Sequence, residues 1–403
     1  MTKGGWTTSI HWIVIALVVL VAGYLLTREG EEALPPPTQT SLRTELALAQ
    51  LGIPPDWSHL DRFQDTISRG TFLKRLETIY TTNDSWKKWI EVSDTEATLI
   101  TAEDPFILRF AKSDKNSPGS IWNWKKRSEL LPSRNLPLEG LIIAIDPGHI
   151  GGEFAKIEKR KLNYPNTPVI EEGTMTLRTA KYLQPLLENL GASVSLTRTK
   201  TEPVTPLRAK NFPDPQLFYR TAEIRARADL INKQIKPDLV ICLHFNGSGS
   251  PALSSGQHFH VILPGAFHES EIAHDDERFE MLQRLLSGTI EEELPLAASI
   301  AASFEEETDL PAYTYRANHQ FSTNLDNNPF LWARNLLATR LYQCPVIFLE
   351  PYVMNSTNFV ERIKAGDYEG IKFIDGKNRR SVYREYAHAV ADGLARHYTS
   401  IHD

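Results

Sequence analysis

Three apolar runs in this sequence each end on a side chain that can bind a metal ion or move a proton. The run that opens at Leu141 leads into a DPGH motif ending on His149, a second run ends on His244, and a third ends on Glu350. Apolar runs that stop at Pro or Gly are typical of buried parallel strands. Because the carboxyl ends of such strands form the ligand-binding edge of an open α/β sheet, we expect these side chains at one edge.

Two adjacent carboxylates, Glu171 and Glu172, lie between the first two runs and just ahead of a helical stretch that starts near Thr174. Two neutral imidazoles and one carboxylate form a common ligand set for catalytic zinc, with the fourth position left to water. A further carboxylate close by could move protons. The residue types and their positions therefore indicate a zinc site, and leave open which of the two glutamates belongs to it.

In combination these segments resemble the zinc-dependent N-acetylmuramoyl-L-alanine amidases. The resemblance covers residues 141–398 and rests on DPGHIGG (146–152), DLVICLHFN (238–246) and FLEPYVMN (348–355), with LENLGASVSLTR (187–198) and YAHAVADGLARHY (386–398) matching a strand and the closing helix of the family. Two positions depart from the family pattern. Gly173 stands where the family usually has Lys, and Tyr352 where it usually has Gly.

The resemblance implies hydrolysis of the amide bond between N-acetylmuramic acid and L-alanine of the peptidoglycan stem peptide. It also implies zinc as the cofactor, bound by His149, Glu172 and His244, because the spacing of Glu172 from Leu177 matches the family and that of Glu171 does not. Water would occupy the fourth position, where zinc lowers its pKa toward about 7.

In the same scheme Glu350 is the catalytic residue, which takes the proton of the water and returns it to the leaving amine. Asp146 would orient His149. Two further hypotheses are a zinc amidohydrolase for another acyl-amino-acid or peptide substrate, and a catalytically impaired cell-wall-binding protein.

The apolar runs and the helical stretches between them indicate an α/β fold, with a mostly parallel twisted sheet and helices on both faces. A helix is expected from Thr174 to Gly191, bent at Pro185, and strands at 192–197 and 256–263. The latter strand carries His258 and His260, which we interpret as structural or substrate-contacting residues rather than ligands.

Two segments next to the predicted site have two interpretations each. The loop 153–170 carries four basic residues and either attracts carboxylates of a peptide or is an ordinary solvated loop. The segment 270–308 is expected to be helical, with interruptions at Gly288 and Pro295. It is either a regulatory lid over the cleft or a solvated surface helix pair.

The hydropathy of the N-terminal residues predicts a membrane anchor. Residues 10–26 are almost uninterruptedly apolar, and about 17 residues is the short limit for a membrane span. We expect a short cytoplasmic tail (1–8), a transmembrane helix (9–26) and a Pro-rich linker (27–40). The positive-inside tendency then makes this a single-pass protein of the cell inner membrane, with its catalytic domain on the periplasmic side. A cleaved signal peptide is the alternative.

Beyond the linker we expect a small α+β domain of unknown role at 41–133, whose tryptophans pack a core rather than stack on glycans, and a catalytic domain at 134–403. The chain has 403 residues and a net charge of −6, which argues against a nucleic-acid partner. Its two cysteines cannot form a disulfide framework. The expected partners are peptidoglycan or muropeptides and, through one helix, the inner membrane; a protein activator is left open.

Overall fold

The computed structural model describes residues 54–113, 124–130, 135–208, 210, 212, 222–250, 252–316 and 319–399. The predicted tail, membrane span and linker lie outside these residues. Within the described ranges, no helix combines the length and the apolar character needed to cross a membrane.

Strands are labelled in chain order. They are β1 (Ile90–Val92), β2 (Glu96–Leu99), β3 (Phe106–Arg109), β4 (Ile142–Pro147), β5 (Lys161–Leu162), β6 (Ile170–Glu171), β7 (Ser193–Leu196), β8 (Leu239–Leu243), β9 (Phe259–Pro264), β10 (Thr323–Asn324), β11 (Leu331–Arg334), β12 (Val346–Pro351), β13 (Lys372–Ile374) and β14 (Lys377–Arg379). The α-helices are Arg69–Arg75, Phe154–Ile157, Glu172–Asn189, Ile224–Asp229, Glu269–Ile272, Asp275–Ser287, Ile290–Thr308, Leu337–Leu341, Thr357–Lys364 and Val382–Thr399. The described residues also contain two π-helical turns, Leu76–Tyr80 and Leu230–Ile235, and three short 3₁₀ segments, Trp57–Phe63, Ser85–Lys88 and Arg127–Glu129.

The central sheet has seven strands in the order β10, β11, β9, β12, β8, β4, β7. The pairs β11/β9, β12/β8, β8/β4 and β4/β7 are parallel, whereas β9/β12 and β10/β11 are antiparallel. A mostly parallel α/β sheet was expected from the apolar runs, and the structure confirms it.

Helices cover both faces of this sheet. As a result, successive residues of one strand belong to different hydrophobic cores. In β4, Ile143 and Ile145 belong to the core under three long helices, whereas Ala144 belongs to a second core that includes Ala228 and Ile231. The three long helices are Glu172–Asn189, Ile290–Thr308 and Val382–Thr399. This alternation within fully buried strands is what a sheet covered on both sides requires.

The strand register places the candidate chemistry at one edge. Leu243 of β8 is paired with Pro147 of β4 and with Leu349 of β12, so β4 and β8 end at the same level and β12 continues two residues further at the same edge. The neighbouring β9 runs antiparallel to β12 and sets His260 opposite Glu350. The start of β9 therefore lies at the edge where the other three strands end.

The segment before the sheet contains the helix Arg69–Arg75 and the antiparallel sheet β1–β2–β3. Its hydrophobic cluster includes Trp86, with Trp89 packed against it, and also Phe267 and Met281 from the later chain. Trp86 and Trp89 thus pack in a core, as expected. Residues 49–403 form one compact unit; the domain boundary at 133/134 stays a prediction.

The expected interruption at Pro295 is wrong, whereas Gly288 does separate two helices, with a left-handed φ of 68°. The helix Ile290–Thr308 runs through Pro295 because it is packed tightly against the closing helix. A Cβ at Gly393 would lie 2.6 Å from the Cα of Ile300. The loss of one backbone hydrogen bond at Pro295 is therefore offset by this close packing.

A candidate metal and catalytic site

The structure brings His149, Glu172 and His244 together in a buried cluster. One ligand atom of each lies within 4.8 Å of the other two. His149 Nε2 lies 3.4 Å from Glu172 Oε2, and His244 Nδ1 lies 3.2 Å from Glu172 Oε1. Burial alone would raise the pKa of Glu172, but the two histidines lower it to about 2. The carboxylate is therefore ionised, as a metal ligand must be.

Glu172 rather than Glu171 belongs to this cluster. The helix Glu172–Asn189 starts at Glu172, whose Oε1 also accepts a hydrogen bond from the Phe245 backbone N–H at 3.1 Å. Glu171 points elsewhere and lies 2.7 Å from the Lys161 ammonium, with a further hydrogen bond from Thr174.

The ring of His149 is oriented by Glu158, which the sequence did not indicate. Glu158 Oε1 lies 3.0 Å from His149 Nδ1, and Glu158 Oε2 accepts the backbone N–H of Ile150 at 2.8 Å. We assign the proton to Nδ1 from this contact, which leaves Nε2 to face Glu172. His149 also has a left-handed backbone, with φ of 58°. Such backbone strain is often found at functional sites.

Asp146 does not orient the His149 ring, contrary to expectation. Its carboxylate accepts hydrogen bonds from Thr197 at 2.6 Å, Tyr342 at 2.6 Å and Arg227 at 3.0 Å. Burial would raise the pKa of Asp146, but Arg227 and the two hydroxyls hold it below its usual value. Arg227 in turn donates to the His149 carbonyl at 2.7 Å, so Asp146 supports the backbone of the turn.

Two buried arginines hold the carbonyl groups of the DPGH turn. Arg227 donates to the Pro147 carbonyl at 2.8 Å, and Arg198 donates to the same carbonyl at 3.1 Å and to that of Gly148 at 3.3 Å. Sequence reasoning missed both roles. Arg198 was visible only as the residue that follows a predicted strand.

The ring of His244 is fixed by close packing. A Cβ at Gly148 would lie 2.2 Å from His244 Nε2, so only glycine leaves room for this ring. On its other side the imidazole stacks on Phe348, with ring centroids 4.1 Å apart. A similar close approach explains Gly173, where a Cβ would lie 2.3 Å from the Ile150 carbonyl.

Glu350 comes directly after the apolar residues of β12. Its side chain lines a cleft of about 620 Å³ that His149 and His244 also line. Burial of its carboxyl raises the pKa of Glu350 to about 7, although the nearby His244 opposes the shift. A carboxyl group with such a pKa can both accept and release a proton near neutral pH.

Tyr352 occupies the position where the family usually has Gly. Its φ of 63° is in the left-handed region that favours glycine. The side chain is buried and its hydroxyl donates to Glu385 at 2.9 Å, while Glu385 also binds Arg362 at 2.6 Å. These contacts hold the tyrosine in a backbone conformation that it rarely adopts.

Two further histidines, His258 just before β9 and His260 within it, lie outside the candidate metal cluster. His260 is buried, stacks on Tyr313 and has its Nε2 3.2 Å from the Tyr315 hydroxyl. His258 packs against the same Tyr313 ring, with centroids 4.5 Å apart. This aromatic packing agrees with a structural role.

Both segments with two interpretations border the cleft. Arg160 of the loop 153–170 lines it and lies 3.5 Å from Glu172. Glu271 and Glu277, from the predicted 270–308 segment, also line it. A regulatory lid at 270–308 stays a prediction.

Comparison with known proteins identifies the family. The sequence model of the N-acetylmuramoyl-L-alanine amidase family matches residues 143–372, more than half of the chain. This chain therefore belongs to the N-acetylmuramoyl-L-alanine amidase family.

The probable cell wall amidase LytH of Staphylococcus aureus is 33% identical over 115 residues. The matched residues are 28% of this chain and 31% of LytH, so they span about a third of that relative.

Two solved structures are also similar. N-acetylmuramyl-L-alanine amidase Ami1 from Mycobacterium abscessus is 19% identical, with a TM-score of 0.39, over 64% of this chain and 99% of Ami1. The CwlD amidase from Clostridioides difficile, solved in complex with the GerS lipoprotein, is 15% identical, with a TM-score of 0.43, over 65% of this chain and 100% of CwlD.

Proposed function

We propose that this protein is a zinc-dependent hydrolase of the amide bond between N-acetylmuramic acid and L-alanine in peptidoglycan. The observation that carries the proposal is the buried cluster of His149, Glu172 and His244, with Glu350 beside it in one cleft. Membership of the amidase family supports the same reaction.

The residues of the cluster fit zinc. Two imidazole nitrogens and one ionised carboxylate are a ligand set that catalytic zinc prefers, with one position left open. The contact between His149 and Glu158 is the carboxylate–histidine arrangement that orients metal-binding imidazoles. When bound, zinc would polarise a carbonyl group and acidify water.

Glu350 would carry the proton between the two halves of the reaction. Its carboxylate accepts a proton from the attacking water, whose oxygen forms a new bond to the amide carbonyl carbon. The same proton then passes to the nitrogen of L-alanine as the carbon–nitrogen bond breaks. The products are the free carboxyl group of the muramic acid and the free amino group of the stem peptide, so all atoms are accounted for.

Incubation of the purified, zinc-loaded protein with defined muropeptides tests this proposal. The expected products are free stem peptide with an L-alanine amino terminus and peptide-free glycan. Cleavage at another amide only would favour a different acyl-amino-acid or peptide substrate. Retention of muropeptides without any product would instead support a cell-wall-binding protein.

We also propose that residues 9–26 anchor the protein in the cell inner membrane, with residues 134–403 as a periplasmic catalytic domain. The apolar run 10–26 and the linker that follows it support this topology. A reporter fused after Pro37 should be active in the periplasm, with the full-length protein in the membrane fraction. A soluble form cleaved near residue 26 would favour a signal peptide.

A further inference from the structure

Arg334 places a positive charge in the cleft, and this charge opposes the rise in the pKa of Glu350 without forming an ion pair with it. Within the described residues, the other cleft arginines have acidic partners. Arg227 lies 3.0 Å from Asp146, Arg340 lies 3.5 Å from Glu277, and Arg160 lies 3.5 Å from Glu172. Arg334 lines the same cleft as Glu350 and forms no ion pair with any described residue. Its guanidinium is therefore available to a ligand.

The position of this guanidinium is fixed by aromatic rings. Arg334 ends β11, and its Cζ lies 6.0 Å from the centroid of the Tyr315 ring. Tyr315 is itself held by His260 Nε2, 3.2 Å from its hydroxyl, and by Trp332, with ring centroids 4.9 Å apart. Arg334 also donates a hydrogen bond to the Tyr315 hydroxyl. Because a guanidinium has five N–H donors, others remain for a ligand.

The acidic side chains across the cleft already have partners. Glu277 accepts a hydrogen bond from Asn335 at 2.7 Å, and Glu271 accepts one from the His268 backbone N–H at 2.8 Å. They are therefore occupied within the protein, and Glu277 pairs with Arg340 rather than with Arg334.

We propose that Arg334 is a specificity-determining residue that binds a carboxylate on the peptide side of the scissile amide. The proposal rests on the proposed amidase function, because N-acetylated sugars are neutral whereas stem peptides carry free carboxylates. A planar guanidinium pairs with a carboxylate through two parallel hydrogen bonds. The peptide part of the substrate would thus lie toward β11. The protein would then prefer stem peptides with a free carboxylate over amidated ones.

The test compares two substrates that differ at one group, N-acetylmuramoyl-L-alanyl-D-glutamate and its α-amide, with the zinc-loaded full chain. The original protein should favour the acid in kcat/KM by about 10- to 100-fold, the size expected for a hydrogen bond to a charged group. Arg334→Gln should reduce this preference to less than about threefold, and Arg334→Lys should retain part of it. Arg109→Gln is the matched control, since Arg109 is exposed on β3 and pairs with Asp65.

Binding of the peptide products, L-alanyl-D-glutamate and its α-amide, is measured in parallel by calorimetry. Equal hydrolysis of both substrates, or a preference that persists in Arg334→Gln, would overturn the proposal and leave the amidase function standing. If neither substrate is hydrolysed, the amidase function fails. Binding then decides, because a preference for the acid that Arg334→Gln removes supports the carboxylate site, whereas equal or absent binding overturns it.

Discussion

Glu158 Oε1 lies 3.0 Å from His149 Nδ1 and so turns His149 Nε2 toward Glu172. The loop 153–170 thus contributes to the candidate metal cluster, and the order of the contacts is carboxylate, imidazole, carboxylate. Such a partner fixes the tautomer and the orientation of a metal-binding imidazole, which strengthens metal binding.

Glu158→Gln should weaken zinc binding by about 10- to 100-fold, the usual effect of losing such a partner. Competition with a chelator of known affinity measures this change. Glu153→Gln is the matched control in the same loop, because Glu153 is exposed. An unchanged zinc affinity in Glu158→Gln would contradict the orienting role.

His149→Ala and His244→Ala should each lose most of the bound zinc, because either change leaves only two of the three clustered ligands. Metal analysis of the purified variants checks this. His258→Ala, at the same edge of the sheet, should keep its zinc. Near-stoichiometric zinc in both ligand variants would show that the assignment is wrong.

The two adjacent glutamates should behave differently. Glu172→Gln should lose zinc, since Glu172 faces both histidines, whereas Glu171→Gln should retain it, since Glu171 binds Lys161 and Thr174. The same metal analysis separates them. Zinc lost in Glu171→Gln but kept in Glu172→Gln would reverse the assignment.

The strand-end residues were predictable because an apolar run followed by Pro or Gly fixes both the strand and the place where it ends. Glu158 was not predictable, since a glutamate in a charged loop has no periodic pattern that marks it. Arg227 was not predictable either, because its role depends on contacts with the turn that follows β4 and not on the pattern of its own helix. The position of His260 beside Glu350 depends on β9 running antiparallel, which local sequence does not encode.

Acid should destabilise the protein partly through His397. Burial lowers the pKa of His397 to about 4, and Arg127 adds to the shift. The ordinary value is about 6.5, so between these values the unfolded chain binds a proton that the folded protein does not. Stability is therefore full above pH ~6.5 and is lost as the pH falls toward ~4, by about 1 to 3 kcal/mol.

Urea unfolding at pH 7 and pH 4.5 tests this prediction. His397→Gln should lose less stability between the two pH values than the original protein, because the variant lacks the proton-linked term. Equal losses in both proteins would show that His397 does not contribute.

The substitution Glu350→Gln separates proton transfer from metal binding, because it keeps the shape of the side chain and removes its ability to accept a proton. The measurement is zinc content together with turnover of a muropeptide that the original protein cleaves. We expect zinc and substrate binding to be retained while turnover falls by about a hundred- to ten-thousand-fold. A variant that keeps both its zinc and its full rate would contradict the catalytic role of Glu350, and a variant that loses its zinc would make Glu350 a ligand instead.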